Sequence, residues 1–220
     1  MKNSFAGEDD WRKNVISAGF EFVNLIWTPT EKNLYHGNDK DGVLVNTPNA
    51  GYSSEKYPTC GWWRTNESNR GMPYKWGGRC TVDEFQTGIS KGKFAGSIVD
   101  YPKKGKSTSK HCVGVDCSGL VSVCWGLQEK YDTSDLPDVS SKLETIDSLL
   151  SGDILLSLTR KHVMIFVAFT NIKKTFAIII EASRQSGKVS SRVINVAELL
   201  SKDYLGYSYN KKHVHNTYST

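Results

Sequence analysis

The sequence contains no apolar run long enough to cross a membrane. Its longest apolar stretches, residues 164–169 and 176–180, are far shorter than the ~20 residues that a membrane-spanning helix needs, so no transmembrane segment is predicted. The first ten residues carry one Lys and three acidic residues, with no apolar run behind them. An export signal is therefore either absent from this chain or was removed from it, and the terminus gives no indication of localisation.

The chain also lacks a strong excess of either charge. Its 28 Lys and Arg residues against 23 Asp and Glu residues give a formal net charge of +5, which suits an anionic partner and is too small for a nucleic-acid signature. Part of the excess is local, because Lys103, Lys104, Lys106 and Lys110 lie in a stretch interrupted by Ser and Gly. That pattern is typical of a solvated loop, and no nucleic-acid partner is predicted.

No CxxC pair occurs among the cysteines, which are Cys60, Cys80, Cys112, Cys117 and Cys124. Their irregular spacing disfavours a zinc site. An odd number of cysteines leaves at least one thiol unpaired within a monomer. Cys80 and Cys112 flank the lysine-bearing stretch, and the sequence leaves open whether they pair in an exported protein.

Gly and Pro are not abundant either, at 19 and 6 residues, while apolar residues make up 38% of the chain. This composition excludes a collagen-like or low-complexity chain and supports a packed core. A length of 220 residues fits one domain, or one domain with an extension.

Apolar periodicity predicts helices first and then a meander of strands. Helical spacing covers residues 10–26, the segment around Val82 to Ile89, and residues 117–130, while residues 28–70 have the composition of long ordered loops. A polar connector with a short helical turn follows at residues 131–148. Strands are then predicted at residues 153–157, 162–169, 175–182, 189–195 and 205–209, with a helix at residues 196–202. This order indicates an α+β fold rather than alternating βαβ units.

Cys117 is the candidate nucleophile among the five cysteines. It begins a predicted helix, where the backbone N–H groups and the helix dipole favour a thiolate. Its neighbours Asp116, Ser118 and Gly119 are polar or small, which suits a close approach of substrate to the backbone. Cys124, deeper in the same helix, is interpreted as a small buried hydrophobic residue.

A nucleophilic cysteine needs a base, and His162 is the candidate because it opens a predicted buried strand. The other histidines lie in polar segments, where they are interpreted as solvated: His36, His111, His213 and His215.

Glu181 is the candidate third residue, because it ends an isoleucine-rich strand where an unpaired carboxylate would be costly. A hairpin that turns between Asn171 and Ile172 places His162 directly opposite Glu181, within reach of a hydrogen bond. If Lys173 joins the turn, Glu181 becomes a diagonal neighbour of His162 instead.

The blocks that carry these residues resemble those of the NlpC/P60 cysteine peptidases. In order, they are residues 73–78 (PYKWGG), 114–121 (GVDCSGLV), 151–155 (SGDIL), 162–166 (HVMIF) and 180–183 (IEAS). Any one block alone is a weak match, but five in order over residues 72–183 make a strong one.

The resemblance implies a papain-like α+β fold, with the nucleophile helix packed on an antiparallel sheet. It also implies hydrolysis of peptide stems of the bacterial cell wall, at the amide between γ-D-glutamate and the diamino acid, with peptidoglycan or muropeptides as the partner. Cys117 matches the nucleophile and His162 the general base and acid. Glu181 matches the orienting residue, although many members carry His there and others Asn or Gln. No metal or organic cofactor is implied.

The resemblance extends to three substrate-binding positions. Tyr74 matches a tyrosine near the nucleophile and is a candidate oxyanion donor, although a plain packing role is equally compatible with its sequence position. Asp116 and Ser118 match positions that hold the free amine of an N-terminal L-Ala-γ-D-Glu unit in some members. An exported enzyme is implied, with a cytoplasmic role in recycling wall fragments as an alternative.

Residues 71–220 are therefore predicted to form the catalytic domain, and residues 1–70 an extension packed on it. The aromatic cluster of Trp62 and Trp63, with Tyr57 and Trp76 near in sequence, either lines a substrate groove or is buried against the core. Other functions remain open: an amidase or acyltransferase on the same scaffold, or a catalytically silent wall-binding module.

Overall fold

The computed structural model describes residues 3–99 and 108–210, and it has the predicted α+β character. The helices are α1 (Asn3–Asn24), α2 (Val82–Ser90), α3 (Cys117–Cys124) and α4 (Val196–Ser201), with short 3-10 helices at Glu31–Asn33, Leu136–Val139 and Ile146–Ser148. The strands are β1 (Ile26–Trp27), β2 (His36–Asn38), β3 (Leu44–Asn46), β4 (Asn69–Arg70), β5 (Phe94–Ala95), β6 (Cys112–Val113), β7 (Ser140–Lys142), β8 (Ile154–Ser157), β9 (His162–Phe169), β10 (Phe176–Ser183), β11 (Lys188–Asn195) and β12 (Leu205–Tyr209).

One six-stranded sheet forms the centre of the molecule, in the order β11-β10-β9-β8-β12-β7, and all of its pairs are antiparallel. Three two-stranded pairs surround it: β1 with β4, β2 with β3, and the parallel pair β5 with β6. Within the described residues, no helix combines the length and apolar character needed to cross a bilayer.

Both faces of the sheet are buried. Val163 and Ile165 of β9 belong to a cluster that includes residues of α1 and α3, such as Phe22 and Leu120. Because side chains alternate along a strand, Met164 and Phe166 belong to a second cluster that includes Leu199 of α4. The prediction that the central strands are buried on both faces, or nearly so, is therefore confirmed.

The predicted element bounds hold best in the second half of the chain, where the bounds of β9 and β12 agree with the sequence prediction. Helix α3 ends at Cys124 rather than at residue 130, because Gly126 adopts a left-handed φ of 72° and its neighbour Leu127 donates from its backbone N–H to the carbonyl of Ser122. Helix α1 spans Asn3–Asn24 rather than residues 10–26, so Asp10 lies inside the helix and does not cap it.

The N-terminal segment shares its core with the rest of the protein. Arg12 of α1 makes a buried ion pair with Asp153, at 2.7 Å between Nη1 and Oδ1, and Trp11 stacks on Tyr209 with ring centroids 5.4 Å apart. This contact explains the aspartate of the 151–155 block, since its carboxylate holds α1 against β8. Lys103, Lys104, Lys106, His213 and His215 lie outside the described residues.

Trp62 and Trp63 lie against the core rather than in a groove. Trp63 is fully buried, and the indole Nε1 of Trp62 donates to the carbonyl of Gly187 at 2.9 Å. For Trp62 and Trp63, burial is therefore the interpretation observed, whereas their neighbours Tyr57 and Trp76 line a cleft. All five cysteines are buried, and Cys80 and Cys112 do not form a disulfide.

Candidate active site

Asp116 fixes the start of the helix that carries Cys117. Its Oδ1 accepts from the backbone N–H of Gly119 at 2.7 Å, which caps α3, and its Oδ2 accepts from the N–H of Gly77 at 2.8 Å. A Cβ at Gly119 would lie 1.9 Å from the carbonyl oxygen of Gly78. The segment before α2 and the first turn of α3 are thus in backbone contact, which explains why both sequence blocks contain glycine.

His162 and Glu181 meet as expected, but not as directly opposed residues. Ile180 pairs with Ile165, and continuing this register places Ser183 opposite His162, with Glu181 as its diagonal neighbour. Of the two registers that the sequence left open, the one with Glu181 as a diagonal neighbour is therefore observed, and direct opposition is wrong for two reasons. The turn is longer than two residues, since Lys174 donates from its N–H to the carbonyl of Asn171, and a bulge interrupts the pairing between Ile178 and Ile179.

The imidazole and the carboxylate nevertheless make a short hydrogen bond. His162 Nε2 lies 2.6 Å from Glu181 Oε2, and Glu181 is only 5% exposed. Because Glu181 takes the Nε2 side of the ring, Nδ1 is the nitrogen left for Cys117.

Arg192 of β11 binds the second oxygen of the Glu181 carboxylate. Its Nε donates to Glu181 Oε1 at 2.6 Å, so both oxygens of Glu181 are occupied. Burial alone would raise the pKa of Glu181, but the hydrogen bonds and charges of His162 and Arg192 lower it to about 2. The carboxylate is therefore ionised in the folded protein near neutral pH.

Cys117 and His162 are electrostatically coupled. Burial alone would lower the pKa of His162, but the charge and hydrogen bonding of Cys117 and of Glu181 raise it to about 10. A raised imidazole pKa next to a thiol is the electrostatic condition for a thiolate-imidazolium pair. Tyr204 lies on one side of His162, with its ring perpendicular to the imidazole and the two ring centroids 6.4 Å apart.

Tyr74 lies beside Cys117, with its ring buried and its hydroxyl accepting from Arg184 Nε at 3.1 Å. Burial raises the pKa of Tyr74 well above its usual value, and the charges of Cys117 and Asp116 raise it further. The hydroxyl is therefore protonated. Since it accepts from Arg184, its own proton remains available to an acceptor in the cleft.

Asp116 and Ser118 already have an ammonium partner. Lys130 Nζ lies 3.4 Å from Asp116 Oδ2 and donates to Ser118 Oγ at 3.2 Å. The ammonium also pairs with Asp132. Burial raises the pKa of Asp116 despite the nearby Lys130, which shows how strongly this carboxylate needs a cation. The ammonium group of Lys130 thus lies at the position where the resemblance places the amine of a substrate.

All six residues predicted for the site line one cleft of about 1540 Å³: Tyr74, Asp116, Cys117, Ser118, His162 and Glu181. Its rim is rich in cations, namely Arg160, Lys161, Arg184 and Lys202 together with Arg192 and Lys130. Each acid on the lining has a cationic partner, since Asp116 and Asp132 pair with Lys130, and Glu181 pairs with Arg192 and His162. The cleft therefore favours an anionic ligand.

Comparison with protein-family models, curated proteins and solved structures finds no match for this chain. The arrangement of the cleft and the sequence blocks are therefore the basis for assigning a function.

The cleft residues that sequence reasoning missed include Lys130, Arg184 and Arg192, which contact the predicted site residues. Arg192 was detectable in principle, because alternation along β11 places it on the same face as Ser190, which pairs with Glu181. Lys130 and Arg184 lie at the ends of polar segments, where a charged side chain normally indicates solvent exposure. Their contacts depend on the tertiary fold.

Proposed function

We propose that the protein is a cysteine hydrolase of the NlpC/P60 type, which cuts cell-wall stem peptides at the amide between γ-D-glutamate and the diamino acid. The observation that carries the proposal is the buried pair of His162 and Glu181, joined at 2.6 Å and coupled to Cys117 at the start of α3. The packing of α3 on β9 and β10 of an antiparallel sheet also agrees with the papain-like fold that the sequence blocks imply.

The reaction begins with the thiolate of Cys117 attacking the carbonyl carbon of the scissile amide. The imidazolium of His162 donates its proton to the leaving amine, and the carbon-nitrogen bond breaks to leave a thioester on Cys117. Neutral His162 then takes a proton from water, which attacks the thioester and releases the acid. Glu181 holds the imidazole in one tautomer and stabilises its cationic form.

The tetrahedral intermediate carries a negative oxygen that needs donors. The backbone N–H of Cys117 belongs to the first turn of α3, where N–H groups have no partner within the helix. The hydroxyl of Tyr74 is the second donor, and Arg184 behind it increases its acidity toward an acceptor. These two groups form the oxyanion hole of the proposed mechanism.

The cationic rim supports a cell-wall stem as substrate, since these peptides carry several carboxylates. An enzyme of this kind acts outside the membrane on intact wall, or inside the cell on recycled fragments. We propose the first location, because the resemblance is to exported wall hydrolases.

The proposal is tested by digesting defined muropeptides, with diaminopimelate and with lysine stems, and analysing the products by mass spectrometry. We expect fragments that together gain the mass of one water and that end at γ-D-glutamate. Protein alkylated beforehand with iodoacetamide serves as the control and yields none.

Other outcomes contradict the assignment. Products that carry an added amine instead of water indicate an acyltransferase. Cleavage at another amide indicates an amidase of different specificity. Binding to wall material without any new fragment indicates a silent module.

Lys130 predicts a specific preference among stem peptides. Since its ammonium occupies Asp116 and Ser118, a free N-terminal amine of the substrate must displace it. We expect Lys130→Met to lower KM for free L-Ala-γ-D-Glu peptides by about tenfold and to leave KM for N-acylated stems unchanged. Steady-state kinetics on both peptides measure the effect.

Lys130→Arg is the matched control, because it keeps a cation at the same position. If Lys130→Met raises KM for both peptides alike while circular dichroism shows an intact fold, Lys130 binds substrate and does not compete with it.

A further inference from the structure

A second cluster of ionisable groups lies away from the cleft, where the β2–β3 hairpin meets the chain entering β6. One carboxylate oxygen each from Asp39 and Asp41 and one ring nitrogen of His111 lie within 4.8 Å of one another. None of the three residues lines the active-site cleft. The cluster therefore has no role in the proposed mechanism.

The two carboxylate oxygens of Asp39 differ in their hydrogen bonding. Its Oδ1 accepts from the N–H groups of Asp41 and Val43, both at 2.9 Å, but its Oδ2 is buried and has no hydrogen-bond partner among the residues that the structure describes. The residue is only 7% exposed. A buried carboxylate oxygen that lacks a partner is unfavourable, and native structures rarely retain one without a reason.

The carboxyl of Asp39 is nonetheless ionised. Burial raises its pKa, but the Ser109 hydroxyl, the N–H groups of Val43 and Asp41 and the charge of His111 together lower it. The Ser109 hydroxyl lies near the carboxylate but does not reach Oδ2 with hydrogen-bond geometry. By its position alone, a carboxylate oxygen of Asp39 thus lies beside a second carboxylate and an imidazole.

We propose that Asp39, Asp41 and His111 bind a divalent transition-metal ion of the zinc class. Two carboxylate oxygens and one imidazole nitrogen are a donor set that Zn²⁺ accepts, whereas an all-oxygen set would favour Ca²⁺. Metal-ligand bonds of about 2.1 Å place tetrahedral ligands roughly 3.4 Å apart. The three groups reach this spacing by small shifts from their present separation.

Two existing contacts have to give way for the ion to bind. His111 Nε2 lies 2.7 Å from Asp41 Oδ2, and Lys110 Nζ lies 3.2 Å from the same oxygen. The side chain of Lys110 is 74% exposed, so it returns to solvent at little cost. His111 binds the ion through the ring nitrogen that now contacts Asp41.

A metal at this position ties the hairpin to the segment that leads into the active site. His111 directly precedes β6, and β6 ends four residues before Cys117. The ion is structural in this proposal, and its test does not depend on any activity of the cleft.

The experiment measures Zn²⁺ binding by isothermal titration calorimetry, with Cys117→Ala protein as the parent so that the cleft thiol does not chelate the metal. We expect about one equivalent of Zn²⁺ to bind. His111→Gln and Asp41→Asn, each made in that parent, should weaken binding by more than about tenfold. His36→Gln is the matched control, since His36 lies on the same hairpin outside the cluster, and it should bind like the parent.

Melting curves in EDTA verify that all four proteins are folded, and addition of Zn²⁺ should raise the melting temperature of the parent and of the His36→Gln protein only. The proposal is overturned if no Zn²⁺ binds, or if the His111→Gln and Asp41→Asn proteins bind it as tightly as the parent. Binding of Ca²⁺ in preference to Zn²⁺, unchanged in the His111→Gln protein, would also overturn it.

Discussion

Cys117→Ala is expected to reduce turnover of stem peptides by about 10⁴-fold or more, because no other group in the cleft is placed to form the thioester. The thiol lies at the N-terminus of α3 and is coupled to His162, while the other cysteines lie outside the cleft lining. Single-turnover digestion of a muropeptide, followed by mass spectrometry, measures the loss.

Cys124→Ala is the matched control for this experiment, since it makes the same change seven residues later in the same helix. Cys124 is buried, and burial raises the pKa of its thiol far above the usual value, so it takes no part in nucleophilic chemistry. We expect that protein to retain near-normal kcat. Equal product from Cys117→Ala and wild type would remove Cys117 from the mechanism.

Glu181→Gln should lower kcat by about 10²- to 10³-fold and shift the alkaline limit of activity to lower pH. The carboxylate helps to raise the pKa of His162 to about 10, so the imidazolium persists through the neutral range. Without this charge the His162 pKa falls, and the proton needed by the leaving amine is lost at a lower pH. A pH profile of kcat/KM measures the shift.

The amide of Gln retains the shape and a hydrogen-bonding oxygen, so this variant separates charge from packing. Glu144→Gln is the control, since Glu144 is exposed and lies outside the cleft lining. If the pH profile of Glu181→Gln superimposes on that of the wild type, Glu181 does not raise the pKa of His162. This conclusion holds even if kcat is lower in the variant.

The sequence predicted which residues form the site better than it predicted the strand register that brings them together. Strand periodicity located His162 and Glu181 at corresponding ends of two neighbouring strands, and the cost of a buried carboxylate indicated that Glu181 needs a partner. The register could not be predicted, because the bulge between Ile178 and Ile179 and the longer turn leave no mark in the apolar pattern. The pair still meets, since a diagonal neighbour lies on the same face.

The first half of the chain was harder to predict for a related reason. Strand pairs such as β1 with β4 are two or three residues long, and alternation cannot be recognised over so few positions. Asn33 illustrates what holds this region instead: it is buried, and its side-chain amide donates to the carbonyls of Ile89 and Lys93. Such contacts join segments that are distant in sequence, so they cannot be predicted from any local sequence pattern.

The contacts of α1 also bear on how the protein is made. Arg12 and Trp11 emerge from the ribosome long before their partners Asp153 and Tyr209. Contacts with such long separation in sequence form late and slow the search for the native state. A nascent chain that has not yet reached β12 therefore lacks part of the core that supports α3. The support for the helix that carries Cys117 is therefore complete only once synthesis has passed that strand.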